Sequence, residues 1–256
     1  MTLVWKSGYS FDSDASTYID AVETADGQAL ETGVRIAIND FVLGCKQDGI
    51  WNAIKASCIL AGARTLDGAL VPLVGGAPTN NNFVSGDYDR ETGLVGDGST
   101  KYLDSNRNNN ADPQNDKHVS IFIQDRGISG RGARYIAAGD STGSDTFINN
   151  LSSSSIIHNV NSNNYDTTTY SGTGFVGITR NSSTTYVARI DSSNQTFART
   201  SGVPRSENIG LFARGDGGGP YSDGRLAFYS IGESLDLALL DTHVSNLMTA
   251  IGAAIP

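Results

Sequence analysis

Carboxylates come first, because cleaving a sugar chain takes two of them held roughly 5–10 Å apart across the scissile bond. On a sheet, acids alternating along one strand meet that geometry, since both then face the cleft. The sequence offers five glutamates, Glu23, Glu31, Glu91, Glu207 and Glu233, and no two are spaced i, i+2 or i, i+4. Asp87 and Asp89 do alternate, but within a Gly/Tyr-rich turn region. His118, His158 and His243 fall in three separate elements, with neither a His-x-His ligand spacing nor a Ser/His/Asp order. Cys45 and Cys58 lack the close second ligand that zinc-finger spacings supply, and read as two buried thiols. The run GLVGDGST at 93–100 has the glycines of a phosphate loop without its lysine, and reads as an Asp97-Gly98 turn joining two strands. The residues therefore predict a protein that is not an enzyme.

The loop RGDGGGPYSDG at 214–224 is the most unusual stretch. It reads either as a flexible hairpin connection or as a contact loop. In the second reading Tyr221 is a stacking platform, Arg214 a polar contact, and Asp216 and Asp223 join backbone carbonyls around calcium. The residues leave the metal open. The Asn-rich runs 80–82 and 106–110 read as loops whose amides could bond sugar hydroxyls or a neighbouring subunit.

Elements must hold these groups in place, and their periodicity is legible. Asp12 to Asp14 offer caps for a short helix carrying Tyr18, Ile19 and Val22. Val34, Ile38, Phe41, Val42 and Cys45 then form one apolar stripe at i, i+4, i+7, i+8 and i+11. Such a stripe must pack on the rest of the chain or on a neighbouring subunit, which makes Phe41 and Trp51 candidate docking residues. The run 58–61 reads as a first strand, and GGAPTNNN at 75–82 breaks regular structure. Beyond Phe83, short strands recur every eight to twelve residues, at 101–104, 118–124, 134–138, 146–149, 155–160, 174–180, 186–191, 196–199, 209–213 and 225–231. Leu237, Leu240, Val244, Leu247, Met248 and Ile251 mark a closing amphipathic helix, with Ser234 or Asp236 as its cap. The expected fold is mainly β: an antiparallel jelly-roll sandwich, concanavalin-A-like, with N-terminal helices and a C-terminal amphipathic helix. Its parts divide as a helical docking segment at 1–56 and the sandwich with its closing helix at 57–256.

The formal charge is −9 and the 18 Lys and Arg residues form no stripe, so nucleic acid is not expected as a partner. No window of 18 apolar residues and no secretory pattern occur, which predicts a chain made in the cytoplasm without membrane insertion.

Three phrases are familiar. AINDFVLGCKQDGIW at 37–51 resembles the opening of a domain in structural proteins of tailed phages, cyanophages and marine phages especially. GLVGDGSTKYLD at 93–104 resembles that domain's glycine-rich entry into the sandwich. GRLAFYSIGESL at 224–235 resembles its last strand, and also the end of laminin-G-like jelly rolls in general. The resemblance spans about residues 34 to 251. It implies a virion protein with a concanavalin-A-like fold, partnered by other virion proteins, and it transfers no catalytic residues. A capsid decoration, knob or tail appendage acting through protein contacts is the leading expectation. A receptor-binding module that grips host-surface glycan is the alternative, with a polysaccharide depolymerase behind it. Symmetric phage platforms further imply a homo-oligomer.

Overall fold

A computed structural model describes residues 11–128, 130, 132–139 and 144–256. Helices α1 (Ser13–Asp26) and α2 (Thr32–Gln47) lead into strand β1 (Ile54–Ile59) and the short helix α3 (Leu66–Ala69). Strands β2 (Thr79–Asn81), β3 (Tyr88–Asp89), β4 (Gly93–Val95), β5 (Tyr102–Asn108) and β6 (Lys117–Asp125) follow. Next come β7 (Arg134–Ala138), β8 (Asp145–Ser152), β9 (Ser155–Ser162), β10 (Asp166–Thr169) and β11 (Gly174–Arg180). The chain ends with β12 (Thr185–Ile190), β13 (Ser193–Ala198), β14 (Asn208–Leu211), β15 (Arg225–Gly232) and helix α4 (Leu237–Ala254).

The strands form two antiparallel sheets. The first runs β13-β12-β11-β6-β15-β4-β3, with β1 also paired to β15, and the second runs β10-β9-β8-β7-β14-β5-β2. Alternation builds the layer between them. Val119, Ile121 and Ile123 of β6 and Val176 and Ile178 of β11 meet Leu103, Ile136, Ile148, Val160, Ile209 and Leu211 of the second sheet in one buried cluster. The other face of the first sheet belongs to the helices. Phe175, Ala227 and Phe228 share a second cluster with the apolar stripes of α1, α2 and α4. The molecule is thus three layers, helices on sheet on sheet. Strands covered on both faces lose their polar alternation, which is why β15 is buried at seven consecutive positions.

Both helical stripes lie as the sequence predicts, and Asp12 and Asp236 cap their helices through side-chain oxygens. The docking expectation changes. Phe41 is only 2% exposed and stands edge-to-face with Phe228, ring centroids 5.7 Å apart, so it fastens α2 to its own sandwich. Trp51 is half-buried, donates to Asp14 at 3.2 Å and lies under the Lys46 ammonium. Residues 11–56 are therefore packed as a layer of the fold, and the first strand begins at Ile54, ahead of both 57 and 58; the rest of the expected docking segment, 1–10, lies outside the described residues.

Helix α2 meets α4 closely because Gly44 has no side chain. A Cβ there would sit 2.4 Å from Cε1 of His243, whose Nε2 is 2.7 Å from Asp48. Gly44→Val is expected to cost about 1–3 kcal/mol by overpacking, read as a lower urea midpoint with an unchanged slope.

Candidate ligand-binding face

The helices cover the first sheet, and the outer face of the second carries a different chemistry. Strand register places Asn159, Phe147, Ala137, Gly210, Asp104 and Thr79 side by side in one transverse row across β9, β8, β7, β14, β5 and β2. A neighbouring row holds Thr167, Ile157, Asn149 and Arg134. Phe147, Ile157 and Ala137 form a small apolar cluster separate from both larger cores, which confirms that these rows face away from the sandwich interior. Tyr165 stands at the border, 46% exposed, its ring tilted against Phe147 with centroids 6.5 Å apart.

Amides punctuate this apolar ground. Asn159 is 2% exposed and donates from Nδ2 to the Ser162 carbonyl at 2.5 Å, which fixes its amide orientation. Its Oδ1 is buried without a partner, as is Oδ1 of the 6%-exposed Asn149. An acceptor buried unpaired costs about 1–3 kcal/mol, so two of them beside an aromatic cluster need an explanation.

The glycine-rich loop flanks the same face. The Arg134 amide donates to the Pro220 carbonyl at 3.2 Å, and Arg214 forms an isolated parallel bridge with Ala137. Gly210 has to be a glycine here, since a Cβ would lie 2.4 Å from the Arg214 carbonyl carbon. The loop so crosses the face at β14 and leaves the stretch from β7 to β10 beside it.

Within the loop the predicted contacts are largely spent. Nε and Nη2 of Arg214 each lie 3.0 Å from a different oxygen of Asp216, a fork-to-fork pair. Tyr221 donates to the Gly217 carbonyl and sets its ring edge-on to Tyr102 at 6.4 Å, closing the loop instead of offering a flat platform. Asp223 turns away and accepts from the Ile128 amide at 3.1 Å. Asp216 and Asp223 thus serve different partners, and among the described residues no three His, Cys, Asp or Glu side chains gather as a metal site needs.

Other sequence candidates resolve into structure. Asp97 accepts from the Ser99, Thr100 and Lys101 amides. Burial alone would raise its carboxyl, and these donors outweigh it and hold the group far below its ordinary value. That turn joins two strands as expected, but β4 and β5 lie in different sheets, so it is a crossover and not a hairpin. Asp87 is ion-paired with Lys101, and Asp89 accepts from the Glu91 and Thr92 amides, so the alternating pair faces no cleft. The asparagines of 80–81 and 106–108 are strand residues of β2 and β5.

His118 has a serine partner, which invites a nucleophilic reading. Its Nδ1 donates to the Glu233 carbonyl at 2.6 Å, so Nε2 accepts the Ser230 hydroxyl. Both residues are 0% exposed, and no substrate reaches them. Burial lowers the His118 ring to about 4, keeping it neutral. His158 sits between the sheets in a longer chain. Thr168 bonds Nε2 at 2.9 Å and Tyr186 bonds Nδ1 at 2.9 Å. Tyr186 also bonds Asp166, which Arg199 grips at 2.6 and 2.9 Å. Burial sets His158 near 4 as well. Arg199 lines an open polar groove of about 350 Å³ with Ser162, Asn163, Thr200 and Ser201. Both cysteines are buried and unpaired, their thiols pushed up to about 12 by burial.

Sequence reasoning placed the flanking loop but missed Asn149, Asn159 and Tyr165. The available signal was amide residues at alternating positions inside otherwise apolar strands, FINN at 147–150 and IIHN at 156–159.

No protein-family model matches the chain, and no curated protein sequence does. Solved structures give weak likenesses. The binding domain of botulinum neurotoxin serotype D aligns at 14% identity with TM-score 0.46, covering 76% of this chain and 51% of that one. The binding domain of botulinum neurotoxin DC in complex with SialylT aligns at 16% identity and TM-score 0.41, covering 69% and 45%. Domain 4 of AbnA, a GH43 extracellular arabinanase from Geobacillus stearothermophilus in complex with arabinotriose, aligns at 12% identity and TM-score 0.41, covering 66% and 82%. The chain spans about half the length of the two toxin domains it matches. Likeness at this level says nothing of ligand or activity.

Proposed function

We propose that this chain is a non-catalytic module that binds glycan on the outer face of its second sheet. One observation carries the reading: two buried amide oxygens lack partners beside the Phe147–Tyr165 aromatic pair, that of Asn159 opposite Phe147 and that of Asn149 two residues along the same strand. Sugars present an apolar ring face ringed by hydroxyl donors. An aromatic cluster and orphaned acceptors supply the two complements that such a ligand needs. As a virion protein, the setting implied by the tailed-phage resemblance, the module would meet glycan on a host surface. Capsid decoration through Phe41 is the weaker reading, because that ring is committed to Phe228.

The test separates binding from stability. A merely structural asparagine destabilises the fold when it is lost. Asn149 has an unpaired buried acceptor, so Asn149→Val is expected to raise unfolding free energy by about 1 kcal/mol and to weaken glycan binding tenfold or more. Equilibrium unfolding in urea and calorimetric titration with host-surface polysaccharide read the two effects. A variant that is less stable and binds as well as the parent defeats the proposal.

A further inference from the structure

The same face points to the class of glycan, an inference that rests on the binding role just argued. We infer that the ligand is a neutral, hydroxyl-rich saccharide rather than a sialylated, uronic or sulfated one. The two buried polar atoms left without partners on these rows, Oδ1 of Asn149 and of Asn159, are both acceptors. The Asn159 amide is oriented by its bond to Ser162, so its Oδ1 faces a ligand that must donate, and Asn149 adds a second acceptor. A carboxylate or sulfate brings acceptors only and would set oxygen against oxygen.

Among the described residues, the arginines bordering the face are engaged. Arg214 is held bidentately by Asp216, Arg199 by Asp166, and Arg205 lies 2.8 Å from Asp145. Arg134 spends Nη1 on the Gly218 carbonyl at 3.4 Å. Recognition of an acidic sugar needs a guanidinium fork turned toward it, and here those of Arg214 and Arg199 close on the protein's own carboxylates, while Arg134 and Arg126 donate to the Gly218 and Ser152 carbonyls. The chain's net charge of −9 opposes an anion at longer range. Both amide oxygens are closed to solvent in this structure, so a ligand reaches them only if the face opens.

The experiment is calorimetric titration of the whole chain with four probes: neutral gluco- and galacto-oligosaccharides, sialyl-oligosaccharides, sulfated galactans, and chitosan oligomers. Each is run at 50 and 500 mM salt. Neutral oligosaccharides are expected to bind, with affinity unchanged within twofold across the salt range. Asn159→Leu should weaken them at least tenfold, while Arg214→Gln should leave them within threefold. Acidic probes that bind and then lose affinity tenfold in high salt or on Arg214→Gln would overturn the neutral assignment and leave glycan binding standing. Chitosan binding alone would overturn it too, pointing to an amine donor. If no probe binds, the glycan reading itself falls. The parent chain's choice among probes decides between these outcomes even if a variant fails to fold.

Discussion

Acidification from pH 7 to pH 4 is expected to remove on the order of 6 kcal/mol of stability through two imidazoles alone. His118 and His158 titrate near 6.5 in the unfolded chain and near 4 in the folded one, burial being the first cause for both. Between those values the unfolded chain takes up protons that the folded chain refuses. The contribution is therefore complete above pH 6.5 and is lost as the pH falls toward 4, at about 3 kcal/mol per ring. The surroundings make the refusal firm. For His118, burial outweighs the Glu233 carbonyl and Asp112, which favour the charged ring, and Lys117 and Arg107 nearby oppose it. His158 is flanked by Thr168 and Tyr186, and Asp166 only partly offsets its burial. Carboxylates held low, such as Asp12 beside Lys46, titrate below this window. Urea midpoints measured at half-unit steps should fall steadily through it. His158→Gln should start lower at pH 7 and descend about half as steeply. A midpoint that stays level from pH 7 to 4.5 would show that these rings protonate in place.

How much of this was written in the residues depends on the period involved. The helix stripes were legible because Val34 to Cys45 and Leu237 to Ile251 repeat on one face of a helix, and packing enforces that pattern. Long strands such as β6 and β15 were legible from their apolar and aromatic residues between flanking turns, although both lie covered on two faces. Strand β2 lay hidden in the polar GGAPTNNN run, since an edge strand paired on one side needs no apolar face. Strands β3, β4 and β10, of two to four residues, are too short to show a period. The candidate face was illegible for another reason. It depends on register between strands far apart in sequence, which puts Asn159 opposite Phe147 and Phe147 opposite Ala137. Composition flagged the 214–224 loop, but only the fold shows that Arg214 and Asp216 neutralise each other and that Tyr221 ties the loop shut.

Replacing Arg180 by methionine should cost about 3–5 kcal/mol. The residue is 0% exposed and ends β11, yet its guanidinium reaches across to the second sheet. Nε donates to the Val160 carbonyl of β9 at 2.9 Å, and Nη1 lies 3.0 Å from the carbonyls of Ser182, Thr185 and Arg199. The charge also stands 5.5 Å from the centre of the Tyr186 ring. Two effects oppose each other. Burial disfavours the charged form, so a methionine of similar length relieves a desolvation penalty, and apolar replacement of buried charges is neutral or stabilising in some proteins. Here, however, the partners are four backbone carbonyls that have no substitute donor once the guanidinium is gone, at about 1 kcal/mol or more each. Orphaned acceptors outweigh the relief, so the sign is destabilising. Arg180→Lys recovers little, because one ammonium cannot span carbonyl acceptors spread over β9, the start of β12 and loop residues 182 and 199. The loss should be local at first. Hydrogen exchange should accelerate between residues 182 and 201, where three of the four carbonyls lie, while the α2–α4 contact stays protected. A methionine variant within about 0.5 kcal/mol of the parent would mean that desolvation of the charge, and not carbonyl pairing, governs this corner of the sandwich.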